Sequence, residues 1–127
     1  MLKPFLWLIA TSQLILAALT LFLPLTFFGW MGLTVPAPDN GYMIGMLGAR
    51  FLACGIGMAM LARTEQPSRF WLANMALIQG LDFTLGAIYL ARGMLPASVV
   101  TFPMVNAALF ACGLILVLRR PPVALAA

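Results

Sequence analysis

Four stretches of this chain are apolar for about as long as a bilayer is thick, at 5–23, 41–62, 70–91 and 97–118. A helix needs about 20 such residues to cross roughly 30 Å of hydrocarbon. Inside hydrocarbon every backbone amide must be satisfied within its own segment or in a closed barrel. The chain lacks the short alternating strands that a barrel requires, so the expectation is all-α: a four-transmembrane-helix bundle in one membrane domain. Of 127 residues, 64% are hydrophobic and only 8% charged, far below the roughly 25% typical of soluble domains.

Local signals frame the four stretches. Asp39 and Asn40 suit the N-cap of the second and Ser68 that of the third. Gly93 suits a left-handed C-terminal cap, and Pro96 the first turn of the fourth. Arg119-Arg120-Pro121-Pro122 stops the last helix. The first stretch exceeds the roughly 7–15-residue apolar core of a signal peptide and reads as an uncleaved span.

Charge distribution bears on orientation and on partners. Lys3, Arg63, Arg69, Arg119 and Arg120 fall on one side of a four-span threading and only Arg92 on the other. The positive-inside rule then places both termini in the cytoplasm. Connection 24–40 lies on the outer side; Phe27, Phe28, Trp30 and Met31 suit it to the membrane interface. The basic residues are too dispersed for a nucleic-acid surface. The chain has no histidine, which removes the usual haem and zinc ligand and the commonest general base. Cys54 and Cys112 sit in apolar runs and read as small hydrophobes. No metal set or catalytic constellation emerges.

The polar residues inside the spans form the candidate site. Measured inward from the outer ends, Arg50 and Asp82 each lie about nine residues deep, roughly 13–14 Å. Asn106 and Gln13 reach a similar depth, so each span offers one polar side chain near the midplane. Gln79, Asp82 and Tyr89 share one side of the third helix. A charge in hydrocarbon costs at least about 2.5–3.5 kcal/mol, so Arg50 and Asp82 are expected to pair within a buried network. That network admits two roles: fixing helix order, or contacting a ligand, a proton or a partner subunit.

Two packing features accompany it. Gly41, Gly45, Ala49, Ala53 and Gly57 put a small residue at every fourth position of the second span, as in extended Gly-x-x-x-Gly contacts. Pro103 interrupts the fourth span, and a kink near Asn106 would open an outer pocket lined by Met43, Met46, Phe102 and Met104.

The segment Gly48-Ala49-Arg50-Phe51-Leu52-Ala53-Cys54-Gly55 reads G-x-R-x-x-x-x-G. It resembles small bacterial membrane proteins that are DoxX-like in the broad sense. The resemblance implies a four-helix inner-membrane protein and no particular substrate. The functional expectation is a non-catalytic accessory subunit of a larger membrane complex, or a module binding lipid, quinone or pigment. Its partners are membrane lipids and other membrane subunits or further copies of itself. A small proton-coupled transporter and a membrane enzyme acting on a lipid or isoprenoid are the alternatives, both centred on Asp82.

Overall fold

A computed structural model describes residues 2–121. Pro122 of the expected stop signal lies outside the described residues. The chain divides after Thr64 into two compact units, each a helical hairpin. The first contains α1 (Leu2–Phe22), α2 (Pro24–Trp30), a single 3₁₀ turn (Pro38–Asn40) and α3 (Gly41–Arg63). The second contains α4 (Arg69–Ala91) and α5 (Ala97–Leu118).

The all-α expectation holds among the described residues, but the four-transmembrane-helix bundle is corrected on two counts. The described residues form five α-helices, and three of them, α1, α3 and α5, are long and apolar enough to cross a membrane. They mark the chain as a multi-pass membrane protein. Helix α4 matches them in length, yet Asn74, Gln79 and Asp82 dilute its apolar content. The extra helix, α2, falls within the connection expected to lie along the interface.

In the first unit α1 and α3 run antiparallel. Gly48 faces Leu21 and Thr20, and Gly55, seven residues on, faces Leu14, seven residues back. The buried positions of α1 are Leu6, Ile9, Ala10, Gln13, Ala17 and Thr20, and all but Ile9 are spaced alternately by four and three. Helix α3 answers with Gly48, Gly55, Met58 and Ala62. This is the spacing of left-handed helix pairs, in which a seven-residue repeat keeps one seam facing its partner. At the open end of the hairpin the Arg63 guanidinium lies 5.7 Å from the Trp7 ring centroid, within cation–π range.

The second unit repeats the logic with less small-residue packing. Gly86 receives the Met104 side chain, and Leu72, Met75, Ala76 and Gln79 are the buried positions of α4. The hairpin is clasped at its open end. Arg69, at the start of α4, donates from Nη1 to the Arg120 carbonyl at 3.0 Å and from Nη2 to the Leu118 carbonyl. Those carbonyls belong to the C-terminal end of α5, where orphan acceptors and the negative end of the helix dipole favour a cation.

Helix ends show how local sequence acts. Gly93 has φ +65°, with Met94 N–H donating to Tyr89 O and Gly93 N–H to Leu90 O, a Schellman cap on α4. Gly32, at φ +71°, closes α2 in the same way. Asn40 and Ser68 occupy the N-cap positions of α3 and α4, but neither makes a side-chain capping bond. Pro96 is the N-cap of α5, one residue ahead of the expected first turn, and its carbonyl accepts the Val99 and Val100 amides. Helix α5 runs as one element through Pro103.

Candidate functional site

The six polar candidates divide between the two units, Gln13 and Arg50 in the first and Gln79, Asp82, Tyr89 and Asn106 in the second. Gln13 and Gln79 are buried, at 4% and 2% exposure, each on the seam of its own hairpin. Arg50 and Tyr89 are exposed, while Asp82 and Asn106 are half-buried. Helical phase accounts for the exposure of Arg50 within its hairpin. Arg50 follows Gly48 by two residues, about 200° around the helix, and so points away from the α1 seam. Its guanidinium lies 5.7 Å from the centroid of the neighbouring Phe51 ring. Arg50 belongs to the first unit and Asp82 to the second. Within α4, the Gln79 amide nitrogen donates to the Met75 sulfur at 3.7 Å, a soft acceptor one turn away.

The small-residue stripe of α3 is likewise not the surface that admits α1. A side-chain carbon added at Gly41, Gly45 or Gly57 would meet nothing within 4 Å, and Ala49 and Ala53 are exposed. Close approach runs through Gly48 and Gly55 instead. A Cβ there would lie 2.6 Å from Leu21 Cγ and 2.7 Å from Leu14 Cγ, distances that require the neighbour to move. These are also the two glycines that bound the G-x-R-x-x-x-x-G segment, so packing against α1 accounts for that part of the pattern.

The same contrast between crowded and open glycines builds a pocket at the connection end of the first hairpin. Gly48 lets α1 close in, which seats Thr20 and Leu21 as one wall. Thr20 is 2% exposed, and its hydroxyl donates back to the Leu16 carbonyl at 2.7 Å, with the Ala17 carbonyl at 3.2 Å. Helix α1 ends two residues later. Leu23 leaves helical geometry at φ −131°, ψ 45°, and Pro24 starts α2 at a position where its missing amide costs nothing. Pro24 and Leu25 form a second wall, and Pro36 and Ala37 a third. Helix α3 supplies Gly41, Ile44 and Gly45, whose missing side chains leave the space open.

The pocket has a volume of about 190 Å³ and is partly open. Its lining is apolar apart from Thr20 and backbone. None of Met43, Met46, Phe102 and Met104 lines it, so the expected outer pocket beside Pro103 is not this one. Sequence reasoning missed the site because it depends on a helix break at Leu23-Pro24 and on which glycines are crowded. Pro24 and Gly32 are the signals that could have revealed α2. Among the described residues no three metal-ligating side chains cluster. No known protein family, curated protein or solved structure matches this chain.

Proposed function

We propose that this chain is a small non-catalytic integral membrane protein of the bacterial cytoplasmic membrane, acting as an accessory subunit beside a larger membrane partner. The observation that carries this reading is the outer face of α3. Only 17% of its most apolar window is buried; Gly57 on it has open space where a side chain would be, and Ala49 and Ala53 are exposed. Inside lipid, helices associate through close van der Waals contact and polar groups rather than by escaping water, and small residues allow that approach. An apolar helix face with room for a neighbouring backbone is suited to such a partner. The first hairpin carries Lys3 and Arg63 at its open end, so the positive-inside rule sets that end in the cytoplasm and α2 on the outer face. The DoxX-like resemblance belongs to the same proposal.

The test is native mass spectrometry after gentle extraction from the source membrane. A defined complex is expected, and Ala49→Leu with Ala53→Leu should dissolve it while the chain remains helical. Recovery of a lone monomer under conditions that preserve other membrane complexes would overturn the subunit reading. The transporter and lipid-enzyme alternatives both require Asp82 at a ligand site, and Asp82 does not line the pocket described above.

A further inference from the structure

We propose that the pocket beneath α2 holds one acyl chain of a bilayer phospholipid, with α2 lying at the interface over its mouth. The inference rests on the membrane setting of the first hairpin and does not require the subunit reading.

Size limits the occupant. At about 190 Å³ the space is well below the roughly 300–1,000 Å³ of pockets that enclose drug-sized ligands. A pigment macrocycle is too large. An apolar cavity of about 150 Å³ is known to accept a benzene-sized guest, so this one accommodates a short run of hydrocarbon.

Chemistry limits it further. The pocket contains no charged side chain to receive a headgroup. Its one side-chain hydroxyl, on Thr20, is already committed as a donor to the Leu16 carbonyl. What remains is an apolar wall of Leu21, Leu25, Ile44 and two prolines, which a flexible chain can contact along its length. In hydrocarbon an unfilled void gains nothing by excluding water; it simply forfeits dispersion contacts on one side. The nearest material able to restore those contacts is a lipid tail.

Position completes the argument. Helix α2 has no buried residue, and Phe22, Leu23, Leu25 and Trp30 around it are exposed, with Trp30 at 73%. A short helix so built rests among headgroups and upper acyl carbons, with its tryptophan at the boundary. A tail descending beside it meets the pocket at the upper end of α1 and α3. Gly41 and Gly45 keep the α3 wall clear: a side chain there has room within the fold and would occupy the tail's space.

The experiment uses the full chain in vesicles of phosphatidylethanolamine and phosphatidylglycerol doped with a phospholipid bearing a diazirine on one acyl chain. After irradiation, labelled residues are mapped by mass spectrometry. Labelling of 20–25 and 44–45 should exceed that of the lipid-exposed positions Leu109 and Leu116 at least several-fold. Gly45→Leu should reduce the pocket labelling to the background of those positions. Gly57→Leu, on the same helix but outside the pocket, should leave it unchanged. Ala37→Phe provides a second way to fill the space from the loop, should Gly45→Leu perturb α3. Uniform labelling over all exposed apolar positions would overturn the proposal. So would pocket labelling that persists in both filled variants, or stronger labelling by an isoprenoid-tailed probe than by the acyl probe. Failure here leaves the partner-complex measurement untouched, so the two readings fail separately.

Discussion

A single methyl group added to different glycines of this chain should have effects of opposite sign. At Gly55 the new carbon would lie 2.7 Å from Leu14 Cγ and 3.2 Å from the Leu14 backbone nitrogen, so α1 itself must shift. At Gly48 the obstacles are the Leu21 side chain and the Thr20 hydroxyl, the latter held by its own bond to Leu16. At Gly86 the neighbour is Met104, an unbranched side chain that can move aside. Gly57 has open space. Unfolding measurements in detergent on the four Gly→Ala variants should therefore rank them. Gly55→Ala should lose the most, about 1–3 kcal/mol, followed by Gly48→Ala and then Gly86→Ala. Gly57→Ala should gain about 0.4–1 kcal/mol, because alanine restricts the unfolded chain and favours helix. Equal losses at Gly55 and Gly57 would show that α1 does not seat where the structure places it.

At the scale of elements, what holds a helix end is a small number of directed bonds. Arg69 satisfies carbonyls at the C-terminal end of α5 from the start of α4, closing the second hairpin where its chain ends diverge. Arg69→Met keeps much of the side-chain length and removes the donors. Hydrogen exchange should then accelerate in the last turn of α5, with a stability loss of about 0.3–1 kcal/mol for the cation at a helix C-terminus. Unchanged exchange there would mean that the guanidinium is not retained by the carbonyls. Much of this level was legible in the sequence. Gly93 announces its left-handed cap, and the positions of α1, α3, α4 and α5 follow from apolar length. The α1–α3 seam was not, for a geometric reason. Residues four apart advance 400°, or 40° beyond a full turn, so five of them from Gly41 to Gly57 spread over about 160° and wind off any one face. Residues seven apart drift by only about 20°, which is why Gly48 and Gly55 keep to the seam. Counting inward from a helix end measures depth but not direction, and within the first hairpin Gln13 is buried on the seam while Arg50 is exposed.

For the whole molecule, the unequal apolarity of the helices matters more than their number. Helices α1, α3 and α5 carry enough apolar length to enter a bilayer unaided, and α4 carries three polar side chains through its middle. Presented alone to an insertion machinery, α4 should remain largely outside the membrane. Asp82→Leu should raise its inserted fraction sharply, since an aspartate at a helix centre costs about 2.5–3.5 kcal/mol where leucine contributes favourably. Glycosylation-site mapping of the isolated helix reads this directly. Complete insertion of the wild-type segment would contradict the ordering of the four long helices, and no effect of Asp82→Leu would place the cost elsewhere in α4.

The two crowded glycines of α3 also act as fixed index marks between helices. With Leu21 at one and Leu14 at the other, sliding α1 by a full heptad would fill one notch and vacate its neighbour. Alignment is thus written into the helices themselves, and the connection between them has no share in setting it. The segment 33–37 is therefore free to vary in length and chemistry. Changes there would alter what the pocket admits while the hairpin keeps its register in the bilayer.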